Sequence, residues 1–424
     1  MGRLLQPLLK TGQQYQPITW DEACQHIAKH SSADDHKTLV MASGDYSNEE
    51  LYLIQRLART GLHTNALGAF DYYKRGTSFF IDKNDIVPFA ELFGAGKFYT
   101  LLDPKSSALS QKTALEIMDA CPKTPRYDFN TPGTLQIRDF GNFFRSINHY
   151  LIRNNLAKGI YVQGLGKQYD QYKEQILSED LSVLLKHNNL TEIDIKAFAE
   201  DLLHTEAPVF VMWERFLDER GVIELENLCM LLDIQAKPSS GFLCLKAELN
   251  SQGLFDMGIF PNICVGGEPF DEENRKLMRE LYGQPVCTEN VDLPARIAAR
   301  DFDQCYLFNA TGAELSAEIT EIAQNCSWSV LQTACWDGEN TCFDLLLPAS
   351  LPQECDGTFT DSARAAHASK ADSECPLACN NLQLFCKIGE TFGLSKLDSA
   401  TDVFMEYISF FHGGCHSQQR HFFR

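Results

Sequence analysis

The chain has 424 residues, 44% of them hydrophobic and 22% charged, with a formal net charge of −20 at pH 7. That is enough apolar material for two or three packed domains, and the acidic surplus argues against a binding face for nucleic acid or anionic lipid. No run of about 18 apolar residues exists, so no membrane-spanning helix is expected. Gln6, Pro7 and Lys10 stand where a signal peptide needs an apolar core, which points to a cytoplasmic protein.

In chain order, Thr19-x-x-Glu22 forms a capping box with Ile18 as a staple, and Thr38–Ala42 is a β-type run. Ser47-x-x-Glu50 opens a second helix with Leu51, Ile54, Leu57 and Ala58 on one face and Gly61 placed to end it. Phe98–Leu102 predicts a strand, Gln111–Ala120 a helix stopped before Pro122, Phe140–Asn155 a helix and Ile160–Val162 a strand. A capped helix follows over Thr191–Leu203, a buried strand over Val209–Met212 and a helix from Gly221 to Leu232. Later strands are expected at Gln304–Phe308, Val330–Thr333 and Asp344–Leu347, and linkers around Lys83–Pro88, Lys237–Gly241 and Asp356–Asp372. Strand–helix alternation over this length implies an α/β protein with parallel sheets covered by helices.

Fifteen cysteines without a signal sequence are expected to stay reduced. Cys229 and Cys244 sit inside apolar runs as small buried hydrophobes, and no Cys-x-x-Cys occurs, so no iron–sulfur cluster of the chain's own is expected. Cys375, Cys379 and Cys386 are grouped without a ligand spacing.

Three blocks carry a family resemblance. Arg3-Leu-Leu-Gln-Pro-Leu-Leu-Lys10, a short polar turn and Pro17-Ile-Thr-Trp-Asp-Glu-Ala23 come first; Asn250-Ser-Gln-Gly-Leu-Phe-Asp-Met-Gly258 is second; Asp344-Leu-Leu-Leu-Pro-Ala-Ser350 with Glu354-Cys-Asp-Gly-Thr-Phe-Thr-Asp-Ser-Ala-Arg364 is third. In this order and spacing the chain resembles the molybdopterin oxidoreductase family, best known from formate dehydrogenases and related to the large iron–sulfur subunit of respiratory complex I. The resemblance implies two Rossmann-like α/β domains with parallel sheets, one split in sequence (1–88 with 253–395) around the other (89–252), and a tail over 396–424. Family members bind two pterin dinucleotides between these domains. They also carry a cysteine-rich cluster domain ahead of the first block and a C-terminal barrel, neither of which is expected here. The edge Arg3–Lys10 is then expected to meet a partner's iron–sulfur domain.

The site positions implied by the resemblance are substituted. Formate dehydrogenases place a Cys or selenocysteine ligand in the stretch matching Thr64–Ser78; this one contains no Cys. An ungapped count puts Lys74 at the ligand slot and Arg75 at the following His slot. A soft thiolate suits molybdenum or tungsten, whereas a protonated ammonium does not ligate. Asp71 and Ser78 are oxygen-bearing neighbours of the kind other branches use; the plain alternative is a surface or interface loop with an Asp–Lys pair. At the substrate-arginine slot stands Lys246, which keeps a positive charge without the bidentate fork, with Glu248 nearby; the alternative is a solvated loop lysine.

For the dinucleotide, the resemblance points to Gly133, Thr134, Asn250, Gln252, Gly253, Asp256, Gly357 and Thr358. Asp103-Pro-Lys follows the first strand of the inserted domain, but the second turn has become Cys121-Pro-Lys-Thr-Pro-Arg-Tyr127, and Gly164-x-Gly166 lacks a third glycine. A molybdopterin guanine dinucleotide is the implied cofactor, and two complete copies are not expected. His149 and His187 read as structural. The tail residues His412, Cys415, His416 and His421 belong either to a frayed or partner-docking end or to a metal site.

Three functions remain open on this sequence. One is a degenerate subunit of a cytoplasmic electron-transfer complex whose iron–sulfur and flavin parts lie on another polypeptide. A second is an active molybdenum or tungsten pterin oxidoreductase with its iron–sulfur module in trans. The third is a non-redox nucleotide-binding protein.

Overall fold

A computed structural model of the protein describes residues 2–31, 37–75, 86–102, 107–157, 162, 166–234, 237–338 and 342–413, the last three in backbone only. These divide into two compact units: residues 2–74, 248–361 and 366–413 form the first, 75–247 and 362–365 the second.

The first unit begins with β1 (Gly2–Arg3), β2 (Leu8–Thr11) and β3 (Gln14–Pro17). The apolar run and polar turn of the first family block are thus a hairpin, with Leu8 opposite Pro17 and Thr11 opposite Gln14. Thr19 caps α1 (Trp20–His30): its hydroxyl accepts the Glu22 N–H at 3.2 Å while the Glu22 carboxylate accepts the Thr19 N–H at 2.8 Å. Then come β4 (Thr38–Ala42), buried throughout, and α2 (Asn48–Arg56), capped the same way by Ser47 and Glu50. The helix widens into a π turn over Leu57–Gly61 and is followed by β5 (Leu67–Ala69).

The second unit holds β6 (Lys97–Leu101), α3 (Ala108–Ala120), β7 (Arg126–Asp128), α4 (Phe140–Arg153), α5 (Lys167–Leu177), α6 (Leu181–Lys186) and α7 (Glu192–His204), followed by β8 (Pro208–Trp213), α8 (Glu219–Leu231) and β9 (Gly241–Leu245). Its strands among the described residues form one parallel sheet in the order β7-β6-β8-β9. Both faces are covered. Phe210 and Met212 pack into a cluster with Phe143, Phe198 and Leu225, while Val209 and Val211 pack with Ala114 and Ile117 of α3. This is why Pro208–Trp213 reads as an unbroken apolar run instead of an alternating one.

On return to the first unit the chain forms α9 (Ser251–Asp256), α10 (Glu272–Tyr282), α11 (Leu293–Ala299), β10 (Gln304–Phe308), α12 (Ala317–Asn325), β11 (Trp328–Thr333), β12 (Cys335–Trp336), β13 (Leu345–Pro348), β14 (Gly357–Thr360), β15 (Ala366–Ser369), α13 (Asn381–Thr391) and α14 (Ala400–Gly413). The main sheet among the described residues runs β3-β2-β13-β11-β10-β4-β5, parallel except at the β2 and β3 edge. The β2–β3 hairpin therefore adds an antiparallel margin to the expected parallel sheet.

Three expectations change. Asp356–Asp372 is not a linker: β14 and β15 pair across it, Gly357 to Ser369 and Thr360 to Ala366. Of Lys237–Gly241 only the first residues are loop, since Gly241 opens β9. Of Lys83–Pro88, residues 83–85 lie outside the described residues, and Ile86 and Val87 extend the β9 edge through the Val87 N–H to the Phe242 carbonyl at 2.9 Å. The expected strand Ile160–Val162 falls outside the described residues except for Val162, which packs with Ile152 and Tyr172.

Each sheet has one point where its strand order reverses, and in open α/β sheets such points flank ligand crevices. In the first unit it lies between β4 and β10, and in the second between β6 and β8. Among the described residues no helix is long and apolar enough to cross a membrane.

Candidate functional site

In the second unit, Glu214 follows the last residue of β8 and Lys246 follows the last residue of β9. The register sets Trp213 opposite Leu245, so the two charged side chains leave adjacent strands at one level. Lys246 Nζ lies 3.6 Å from Glu214 Oε2, with side chains 5% and 0% exposed. The other carboxylate oxygen accepts the Ala247 N–H at 2.9 Å. The backbone here is pinned: the Lys246 N–H donates to Ser362 Oγ at 3.1 Å, Ser110 Oγ donates to the Lys246 carbonyl at 2.9 Å, and the Arg75 guanidinium donates to the Glu214 carbonyl. Cys244 Sγ is 3.9 Å from Lys246 Nζ, and burial pushes that thiol up to about 11.

Lys246 is thus no solvated loop residue. A buried ammonium needs a buried partner, because an unpaired charge in the interior costs several kcal/mol on the order of a whole domain's margin. Glu214 supplies that partner. It is absent from the sequence-derived candidates, although it is the first charged residue past a wholly apolar strand. Glu248 belongs to the first unit, where its Oε2 accepts the Gly44 N–H at 3.1 Å.

Lys74 and Arg75 fall on either side of the boundary between the units. Lys74 is exposed, and its ammonium sits 2.7 Å from Glu318 Oε2, which also accepts the Tyr73 hydroxyl at 3.0 Å. The hydrogen bond to Glu318 raises the Lys74 pKa, so the nitrogen stays protonated. Ser78 lies outside the described residues.

The second and third family blocks meet in the first unit. Asn250 donates from its carboxamide to the Tyr46 carbonyl at 2.8 Å and to Asn48 Oδ1 at 3.0 Å, and its oxygen accepts the Thr360 N–H at 2.8 Å. Asn48 donates to the hydroxyls of Thr358 and Thr360 at 3.1 and 3.0 Å. Glu49 accepts the N–H and the hydroxyl of Thr358, both at 2.8 Å. Gly253 is required by proximity: a Cβ there would come 2.3 Å from Asn250 Oδ1 and 2.4 Å from Asn48 Oδ1. Gly357 packs as closely, its Cβ position lying 2.6 Å from the Ser47 Cβ. Beneath this knot Glu50 is fully buried, and its carboxyl is pushed up to about 7 by that burial, offset by hydrogen bonds from Ser47 and Asn381.

Asn250, Gly253, Gly357 and Thr358 are therefore brought together, and together they tie α2, α9 and the β14–β15 hairpin. Gln252 Nε2 donates to Asp256 Oδ1 at 3.2 Å, while Gln252 Oε1 is buried without a hydrogen-bond donor among the described residues. Gly133 and Thr134 are elsewhere, in a turn of the second unit after β7. The Thr134 hydroxyl donates to Asp128 and Thr131 carbonyls at 2.8 and 2.9 Å, and Gly133 takes φ +89° with open space around it. Asp103, Gly164, Cys415, His416, His421 and the His412 side chain lie outside the described residues. His149 is buried with its pKa lowered by that burial, and His187 is an exposed helix end.

At Lys74, the position an ungapped count gives for the ligand, the donor chemistry does not fit a pterin-bound metal: its nitrogen is a protonated, ion-paired ammonium. Lys246, expected at the substrate-arginine position, is already paired within the chain. Gln252 Oε1 alone of these residues offers an unmet acceptor to a bound heterocycle.

Residues 3–83 match the family model described as molybdopterin oxidoreductase. A putative formate dehydrogenase of Staphylococcus aureus is 22% identical over 405 residues, covering 85% of this chain and 40% of that protein. The alpha subunit of a formate dehydrogenase of Methanococcus maripaludis is 22% identical over 447 residues, covering 95% of this chain and 64% of the relative. The chain thus spans less than two thirds of the length of these relatives. Among solved structures, acetylene hydratase from Pelobacter acetylenicus shares the fold with a TM-score of 0.66 at 12% identity, over 92% of this chain and 61% of that one. A chain of the formyltransferase/hydrolase complex from Methylorubrum extorquens, solved with methylofuran, gives a TM-score of 0.56 at 13% identity over 91% of this chain and 98% of that one. The first 83 residues thus match the molybdopterin oxidoreductase model, and over most of its length the chain is similar to relatives named formate dehydrogenase and shares the fold of acetylene hydratase.

Proposed function

We propose that this chain is a subunit of a multi-component assembly of the molybdopterin oxidoreductase type, resembling a formate dehydrogenase catalytic subunit without metal chemistry of its own. The observation that carries this is the buried Lys246–Glu214 pair: the cation that would hold a substrate carboxylate already has an internal counter-ion. The ion-paired ammonium of Lys74 at the ligand slot supports the same reading. The electron relay would then belong to a separate iron–sulfur or flavin polypeptide, with this chain as a binding and positioning platform.

A second reading rests on one comparison. The chain of the formyltransferase/hydrolase complex is covered over 98% of its length, which favours an assembly that transfers or hydrolyses a formyl group.

The test is isolation of the assembly from its source, followed by molybdenum and tungsten analysis and extraction for oxidised-pterin fluorescence. Substoichiometric metal is expected; one molybdenum or tungsten per chain sinks the proposal. An iron–sulfur or flavin protein among the co-purifying chains supports the electron-transfer reading, and a formyl-transferring enzyme without such a protein supports the second.

A further inference from the structure

We infer that Lys246 and the Ala247 N–H form a built binding site for one small carboxylate, and that the site is filled by the chain's own Glu214. The geometry is that of a bound carboxylate. One oxygen faces an ammonium at 3.6 Å and the other accepts a backbone N–H at 2.9 Å, the mixed charged and backbone donor set that holds carboxylate ligands. Both charged side chains are buried, so neither is neutralised by water.

The backbone donor does not depend on Glu214 for its position. Ser110 and Ser362 fix the Lys246 main chain from two sides, and Leu245 lies in the β8–β9 register. Glu214 is itself aimed by its backbone, whose N–H donates to the Leu245 carbonyl at 3.1 Å and whose carbonyl accepts from Arg75. Removing the side chain therefore vacates its own volume beside the Lys246 ammonium, with the Ala247 N–H still held by the pinned backbone. The shape of that volume follows from the atoms removed. Glutamate to alanine deletes a methylene and a carboxylate, the outline of acetate; glutamate to glycine deletes one methylene more, the outline of propionate.

The inference deepens the proposed function, because an internally filled site keeps external carboxylates out. It rests on that reading only for its biological meaning, since the binding readout below is independent of metal, pterin or partner. The full chain is used as wild type, Glu214→Ala, Glu214→Gly, Glu214→Gln and Glu214→Ala/Lys246→Met, with thermal midpoints followed against sodium acetate, formate, propionate and chloride at constant ionic strength. Binding to the folded state alone raises the midpoint with a saturating dependence on ligand concentration.

For Glu214→Ala the expected order is acetate above formate and propionate, with chloride inert. For Glu214→Gly propionate should lead. Wild type, Glu214→Gln and the double variant should not respond. If Glu214→Ala is recovered folded only in acetate, that is the same rescue at its limit. The inference is overturned if no carboxylate outperforms chloride, if the double variant responds as the single one does, or if Glu214→Ala fails to fold with and without acetate while Glu214→Gln folds.

Discussion

The Asn250 carboxamide donates to Asn48 Oδ1 at 3.0 Å, and Asn48 in turn donates to Thr360 Oγ1 at 3.0 Å, so that two asparagines 202 residues apart close one buried hydrogen-bond circuit. The circuit joins the start of α2, the start of α9 and the β14 strand, and it consumes both ends of the Asn250 amide. The residues that make the family's sequence blocks visible are here doing structural duty in the first unit.

Asn250→Ala should therefore destabilise the first unit severely. It leaves the Thr360 N–H, the Tyr46 carbonyl and Asn48 Oδ1 short of a partner in the interior, which costs about 3–4 kcal/mol in total. Asn250→Asp should fare little better, because it sets a carboxylate against Asn48 Oδ1 and the Tyr46 carbonyl. Urea unfolding of the two variants checks this. A loss below about 1 kcal/mol in Asn250→Ala would mean that water replaces the amide without penalty.

Gly253 and Gly133 were both expected as dinucleotide contacts, and alanine should separate them. At Gly253, inside α9, alanine would ordinarily favour the helix; here its Cβ meets two carboxamide oxygens at 2.3 and 2.4 Å, so Gly253→Ala should unfold the knot or force α9 outward. At Gly133 nothing lies within 4 Å, and the cost is that of a left-handed residue, about 1 kcal/mol. Denaturation midpoints of the two variants, measured side by side, give the comparison. Equal losses would show that Gly253 is not held by the asparagine pair.

Glu50 gives the first unit a pH dependence of stated sign. The folded protein holds this proton up to about pH 7, whereas an ordinary glutamate releases it near 4.5. Between these values the folded state binds more protons than the unfolded chain, so stability falls as pH rises. Below that window the contribution is constant; above it the full penalty of a buried carboxylate is present, about 3 kcal/mol. Glu50→Gln keeps an oxygen to accept the Ser47 N–H, now 2.8 Å away, and removes the titration. It should flatten the slope of unfolding free energy between pH 4.5 and 7 and raise stability at pH 8. A variant with the wild-type slope would place the titration on another group.

Local rules made much of this fold readable. Ser47 and Glu50 announce a helix start from four residues, and the apolar run Val209–Met212 announces a strand buried on both faces, because those features depend on near neighbours alone. What escaped depends on partners distant in sequence. Glu214 and Lys246 are 32 residues apart, and only the β8–β9 register sets them at one level. Arg59 sits fully buried with no carboxylate among its hydrogen-bond partners in the described residues, held by the carbonyls of Phe260 and Ile263 at 2.7 and 2.8 Å and by the Phe270 ring, and nothing adjacent to it in sequence signals that. The β14–β15 hairpin reads as a linker in sequence because Asp, Gly, Ser and Thr recur through Asp356–Asp372; the two threonines of β14 are spent on α2, Thr358 on Glu49 and Thr360 on Asn48.

Restoring a thiol at the ligand slot tests whether one residue separates this chain from a metal enzyme. Lys74→Cys removes the ion pair with Glu318 and places a sulfur on an exposed turn at the end of the first unit. It leaves Lys246 bound to Glu214, so the cation opposite a substrate carboxylate stays neutralised. A soft ligand alone supplies neither the carboxylate site nor an electron exit. Lys74→Cys should therefore fold as the parent does and give no formate-dependent dye reduction, even when produced in cells that load molybdenum or tungsten pterins. The triple variant Lys74→Cys/Glu214→Ala/Lys246→Arg adds an open site and a bidentate cation. If the single variant turns over formate, the proposal that this chain is a platform without metal chemistry falls. If only the triple variant binds formate, the closed carboxylate site is the element that the single change left in place.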